Sequence, residues 1–431
     1  DHPADKDQQW VRIRGAVESN LNRKALVMME ACVRCGLCAK ACHYYTSNAD
    51  PRVIPANKIE KVYRFLKSFS GSIGIGSPFS KGKRHLEGSA LDDLYKAAFE
   101  NCTICGKCAL ACPMGINAGE VMLLARALLC SIGKLPSGLI HPVETACEVG
   151  NYLGMSTEDF VETVEWLEEE LEDEVSEKDF TIPIDKSNTE VLYIPHPLEV
   201  RDLPFLFMDA IKILHAAGED YTLSSYDFDT VNYAYYQGSK ENMMIIAQRI
   251  FDARERLGSK SIVMAPCGHG YRVTRWEMEK CLGRPHPFPI LAIVEQIAHY
   301  IETGRLPLKT DILEGPITYH DPCQIARRGG VLDAPRKILN AITSNIVEMA
   351  PTGIQSYCCG GGGGLASTPD FGQIRLQAGR TKAEQIRETG AKTVVTNCFN
   401  CMTQIRDLGK EYDLGIEVKS IVEVVSASLI T

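Results

Sequence analysis

At 431 residues the chain is long enough for two or three domains, each with its own core. A net charge of −9 excludes a general nucleic-acid partner and leaves no polybasic membrane patch. No apolar run reaches the length of a membrane span and Asp1–Asp7 holds no signal-peptide core, so a soluble, cytoplasmic protein is expected; a start without Met leaves a removed upstream segment open.

The first elements lead into cysteines. Residues 1–31 turn from polar to apolar at helical spacing, and Ala25, Leu26, Met28 and Met29 carry a helix up to Cys32. There begins Cys32-x-x-Cys35-x-x-Cys38-x-x-x-Cys42, which recurs as Cys102-x-x-Cys105-x-x-Cys108-x-x-x-Cys112-Pro113. In this spacing three close thiolates wrap one 4Fe-4S cubane while the fourth reaches its neighbour. The expected sets are Cys32, Cys35, Cys38 and Cys112 for one cluster, and Cys102, Cys105, Cys108 and Cys42 for the other. His43 stands where the second copy has Pro113, which puts the last ligand of the first copy on a continuing helix.

The 59 residues between the copies exceed what a compact ferredoxin needs. Helices are expected over 57–67 and 91–99, around a Gly/Ser-rich loop from Ser68 to Ser80, which makes the module a helical dicluster domain. Gly71, Gly74 and Gly76 in that loop lack the order of a nucleotide fingerprint, and no strand precedes them. The basic run Lys81, Lys83, Arg84 and His85 reads as a solvated face or a dock for an acidic partner.

A helix over 119–132 closes the module. Ser156 and Asp159 then cap a helix whose Phe160, Val164, Leu167, Leu171 and Val175 form one apolar stripe, with the acidic run Glu168 to Glu174 as its solvated face. From residue 189 short Val/Ile-rich runs alternate with helical stretches, the grammar of wound α/β units. The pattern repeats: 190–196 parallels 315–323, 258–267 parallels 390–398, and 288–295 parallels 415–423. In the first copy Tyr235-Tyr236 reads as packing, and His196 stands in the place of Cys323. His196, Cys267 and His269 leave open either a mononuclear metal site or an apolar pocket with a relic cysteine.

The second copy holds five cysteines: Cys323 after Tyr-His-Asp-Pro, the pair Cys358-Cys359 opening the tract Gly360 to Gly364, and Cys398-x-x-Cys401 after an apolar strand. Strand ends and a glycine loop that carry every thiol suit a site at the carboxyl edge of a parallel sheet, where backbone amides approach inorganic sulfide. The alternative is a disulfide with a zinc half-site. Of 17 cysteines, 13 lie in these motifs; Cys130, Cys147, Cys267 and Cys281 are left as small apolar residues.

Two CxxCxxCxxxC motifs before a duplicated C…CCG…CxxC domain, together with the run from His320 to Arg336, resemble the heterodisulfide reductase catalytic subunit of methanogens and its relatives. These include iron–sulfur subunits of glycolate and lactate oxidases and the HdrD-type subunits of sulfate-reducer membrane redox complexes (Dsr, Tmc and Hmc types), the last being most similar. The fold class expected is α + α/β: a helical dicluster 4Fe-4S ferredoxin domain (1–150), an acidic helical linker (151–188), and two repeated Rossmann-like α/β cysteine-rich (CCG) domains, the first degenerate (189–310) and the second carrying the five-cysteine site (311–431).

The resemblance implies one noncubane 4Fe-4S cluster on Cys323, Cys358, Cys359, Cys398 and Cys401, beside two cubane 4Fe-4S clusters. Those five cysteines and His320 form the implied catalytic set, with Arg327 and Arg328 as candidates for an anionic partner. Any disulfide chemistry would run at a single cluster, since the first copy lacks the thiols. The function implied is an iron–sulfur electron-transfer subunit on the cytoplasmic face of the inner membrane. It would work between a quinone-interacting membrane subunit, with a c-type cytochrome or other redox subunits, and a cytoplasmic thiol/disulfide protein or small disulfide. A pure electron relay and a glycolate/lactate-type oxidase subunit are the alternatives, and whether the chain is itself an enzyme stays open.

Overall fold

The computed structural model describes residues 3–68, 88–175, 177–178 and 180–430. The glycines at 71, 74 and 76 and the basic run 81–85 lie outside the described residues. The chain forms two compact units: the first gathers 1–140, 234–240 and 357–382, and the second gathers 141–233, 241–356 and 383–431.

The first unit is helical among its described residues. Its centre is the helix Ala118–Cys130, against which Pro3–Asn20, Arg23–Glu30, Pro55–Ser68, Gly88–Tyr95 and the short Ala234–Gln237 all pack. The central helix is apolar on nearly every side, with Val121, Met122, Leu124, Ala125, Leu128 and Leu129 buried, as a helix surrounded by others must be. Asn22 interrupts the N-terminal helical stretch, since its side chain accepts from the Ala25 N–H and starts a new helix eight residues long. The helix expected to end at Phe99 instead widens into a π-helical turn over Lys96–Glu100, just before the second cysteine motif.

The second unit holds seven strands among its described residues: β1 (Val191–Ile194), β2 (Tyr221–Thr222), β3 (Ser261–Met264), β4 (Ile290–Ala292), β5 (Ile317–His320), β6 (Thr393–Thr396) and β7 (Glu417–Ser420). They make two parallel sheets, ordered β2-β1-β3-β4 and β5-β6-β7. All four residues of β1, β5 and β6 are buried, the pattern of strands covered on both faces. Ile346 adds a parallel bridge to Ile317 beside β5, on the edge that β2 occupies beside β1.

The helix Thr157–Val175 leads into the first sheet. Ser156 Oγ accepts from the Asp159 N–H at 3.0 Å, and Phe160, Val164, Leu167 and Leu171 are fully buried along one stripe.

Candidate metal centres

No two of the 17 cysteines are joined in a disulfide, Cys358 and Cys359 included. The two CxxCxxCxxxC loops share one backbone course. Arg34 and Ile104 both take positive φ, at 57° and 59°, and Gly36 and Gly106 follow at 80° and 76°. A short helix starts directly after each glycine, Leu37–Ala39 in one loop and Lys107–Leu110 in the other. A β-branched residue such as Ile104 resists this conformation, so the surrounding structure must impose it. The repeated left-handed pair curls the chain so that its thiols face one side; in the second loop the Ile104 N–H points at Cys102 Sγ, 3.4 Å away.

One cavity of about 380 Å³ is lined by Cys32, Cys35, Cys38, Cys108 and Cys112. A single tetrahedral zinc with bonds of about 2.3 Å leaves most of such a space empty, whereas a polyatomic cluster fills it. A second, narrower cavity is lined by Cys42, Cys102, Cys105 and Cys108. Cys35 is exposed in the first set, while Cys42 and Cys108 are buried in the second. Burial pushes the Cys108 thiol up to about 12, since a lone thiolate there lacks solvation; a metal that claims the thiolate removes that penalty. Cys42 caps the helix His43–Asn48, while Cys112 ends in a turn before Pro113. The thiol donors therefore fit iron–sulfur clusters.

The glycine tract returns to this unit. Cys358 is buried and lies with His43 and Cys105 in a group whose ligand atoms fall within 4.8 Å of one another. Thr103 Oγ1 is 3.4 Å from Cys358 Sγ, and the Gly360 N–H approaches the same sulfur at 3.5 Å. Tyr357 donates to the Lys40 carbonyl, and Lys107 Nζ sits 3.3 Å above the Tyr357 ring, which anchors the start of the tract. Cys359 is buried as well.

Two cations missed in the sequence stand beside the second cavity. Lys58 is 2% exposed; its Nζ lies 3.8 Å from Cys42 Sγ and donates to the Asn101 carbonyl. Arg126, fully buried, donates to the carbonyls of Ala98, Cys102, Tyr236 and Gly363 at 2.7 to 3.0 Å. The available signal was a charge on an apolar face: Lys58 shares a stripe with Val62 and Phe65, and Arg126 is the one cation of the helix Ala118–Cys130.

In the second unit Cys323 follows β5, Cys398 follows β6, and Cys398 and Cys401 lie at the start of the helix Phe399–Glu411. A hydrogen bond from Cys401, joined by the backbone N–H groups of Gly268, Cys401 and Asn400, draws the Cys398 thiol down to about 7 against its burial. Neighbouring Asn397 is fully buried, and its side-chain amide finds no hydrogen-bond partner among the described residues, as suits a group facing an added ligand. Asp321 fixes the turn before Cys323: its carboxylate pairs with Arg336 and accepts from the Gly353 N–H at 2.8 Å, and Arg336 also holds Glu348. His320 ends β5, 1% exposed. Arg327 donates to the carbonyls of Ile354 and Ser356, and the Arg328 carbonyl accepts from Arg272.

His196, Cys267 and His269 do not assemble as a metal-ligand group among the described residues. His196 Nδ1 instead accepts from the Leu198 N–H and its ring lies 4.4 Å from Phe399, while His269 stacks on Tyr233. Burial pushes both imidazoles down to about 3, so both are neutral, and Cys267 Sγ lies 3.5 Å from His269 Nδ1.

Comparison with known proteins finds two domains. A 4Fe-4S dicluster domain matches residues 28–116, and a cysteine-rich (CCG) domain matches residues 317–406. The Hdr-like menaquinol oxidoreductase iron-sulfur subunit 2 of Archaeoglobus fulgidus is 26% identical over 95% of this chain and 81% of its own length. A subunit of the dihydromethanophenazine:CoB–CoM heterodisulfide reductase of Methanosarcina barkeri is 28% identical over 95% of this chain and 96% of its own. The EtfAB:quinone oxidoreductase of Syntrophomonas wolfei is 24% identical over 89% of this chain and 56% of its own.

Proposed function

From a heterodisulfide-reductase-like iron–sulfur protein, with a 4Fe-4S dicluster domain and a CCG domain in one chain, we propose an electron-transfer subunit working between a quinone-linked membrane module and a thiol/disulfide couple. Cys32, Cys35, Cys38 and Cys112 hold one cubane, and Cys102, Cys105, Cys108 and Cys42 the other. Each set of four thiols lines one cavity, Cys108 lining both. Cys323, Cys358, Cys359, Cys398 and Cys401 hold a third, noncubane cluster; all five fall inside the stretch matched as cysteine-rich domain.

Bound there, the clusters would supply one-electron exchange, and the third would be where a substrate sulfur is taken up. The observation that carries the reading is the approach of Cys358 to Cys105, their sulfurs within 4.8 Å: a thiol of the glycine tract stands beside a ligand of the second cubane, a short through-space step for an electron. At the other end, exposed Cys35 is surrounded by Val33, Leu37 and Met114, 80%, 55% and 67% exposed, an apolar rim suited to a redox partner such as a quinone-interacting or cytochrome subunit.

Attachment on the cytoplasmic face would run through such partners; no described helix is long and apolar enough to cross a membrane. The two parallel sheets are copies of one Rossmann-like domain, β1, β3 and β4 answering β5, β6 and β7, and Tyr235, Tyr236 and Gly270 leave the first copy without a cluster. That loss, and a relative named only as a quinone oxidoreductase, favour the second reading, a relay without disulfide chemistry.

An anaerobic EPR-monitored redox titration with and without a small thiol, beside Cys359→Ser, separates the two. A paramagnetic state that needs both thiol and oxidising conditions, and is absent from the variant, establishes sulfur chemistry. Cubane signals that ignore thiol leave the relay.

A further inference from the structure

Lys58 and Arg126 are both buried, and every group found around them is a thiol, a phenol, an aromatic ring or a carbonyl. Carbonyls satisfy the guanidinium donors but leave its charge in place. Among the described residues neither cation forms an ion pair with a carboxylate, and burying an unpaired charge is costly. The negative charge they lack must come from the site itself. Lys58 lines the second cavity directly, and Arg126 binds the carbonyl of Cys102.

The first cavity differs. Its one cation, Arg34, has a side chain 54% exposed and is paired with Glu60, so its field is both neutralised and screened. A cubane on four thiolates carries net negative charge and gains one more unit on reduction, so two unpaired buried cations favour its reduced form.

Resting on the cubane assignment above, we propose that Lys58 and Arg126 set the second cubane at a higher reduction potential than the first. The second cubane thereby becomes the place where an electron waits beside Cys358. In the step this favours, one electron leaves the reduced first cubane, which is oxidised by one unit, and one arrives at the second, which is reduced by one; no proton moves and no bond changes. Neither residue touches a substrate. Both position charge.

The test uses the full, anaerobically reconstituted chain. Lys58→Gln keeps a donor for the Asn101 carbonyl and removes the charge; Lys58→Arg keeps the charge; Cys35→Ser marks which EPR signal belongs to the first cubane. In Lys58→Gln the reduced-to-oxidised ratio of the second cubane at a fixed ambient potential falls at least tenfold, a drop of about 59 mV for one electron, while the first cubane is unmoved and Lys58→Arg stays near wild type. Two loaded cubanes with unshifted potentials in Lys58→Gln overturn the proposal, as does an equal shift of both. Should Lys58→Gln fail to load iron, Lys58→Met is titrated against the same criterion. Iron and sulfide content short of two cubanes in the wild-type chain overturns the cluster assignment itself, a failure visible before any titration.

Discussion

Among single residues, the second unit's buried acids carry a measurable consequence. Asp229 accepts the Tyr152 N–H at 2.8 Å and the Val231 N–H at 2.6 Å, yet burial dominates and lifts its carboxyl from 3.8 to about 8. Glu199, buried in the cap of the helix Pro197–Arg201, rises from 4.5 to about 8 for the same reason. Both bind a proton in the folded chain at a pH where the unfolded chain has released it. Their contribution to stability is therefore fully present below the unfolded values and is lost as pH climbs toward 8, at up to about 1.4 kcal/mol per pH unit for each group. Urea unfolding of the intact chain from about pH 5 to 8 should show this decline, and Asp229→Asn should flatten it by about one proton. An unchanged slope in the variant would show that Asp229 is ionised in the fold.

At the scale of elements, the glycine tract works by being thin. A Cβ on Gly363, whose φ is 73°, would lie 2.8 Å from Thr103 Cα and 3.0 Å from the Cys102 carbonyl oxygen. Backbone there packs on backbone, and the opposing chain is the second CxxC loop, already turned through left-handed Ile104 and Gly106. Gly363→Ala must push that loop away or fail to close on it. The expected result is loss of about one cubane's share of iron with the first cubane's EPR signal retained. Full iron content in the variant would mean that the loop yields without disturbing its thiols. Gly372, by contrast, has open space at its Cβ position, so Gly372→Ala serves as the neutral control.

Across the whole molecule, stability and metal are linked. The first unit buries Lys58 and Arg126 without a carboxylate partner among the described residues and bends two loops through positive φ at Arg34 and Ile104, costs that bound clusters would offset. Removing iron with a chelator under anaerobic conditions should lower the melting temperature of the first unit and open segment 1–140 to protease before segment 241–356. Equal melting of the apo and loaded chains would show that the helices alone hold the unit.

Chemistry that is written at fixed spacing could be read from the residues without a fold. The two CxxCxxCxxxC runs, the Cys-Cys-Gly tract, and the alternation of short apolar strands with helices were all legible, because thiol ligands and parallel strands need local patterns. Helix ends were legible where a cap residue sits, as at Ser156, and less so before the second motif, where the π-turn Lys96–Glu100 leaves no local signature. Which charges are left without partners was a matter for tertiary packing. Lys58 and Arg126 look like ordinary helix residues until the fold surrounds them with carbonyls and thiols, since burial belongs to the packed neighbours and not to any window of sequence. The same holds for Cys358 beside Cys105: more than 250 residues separate them in the chain, and long-range packing alone brings one sulfur to the other.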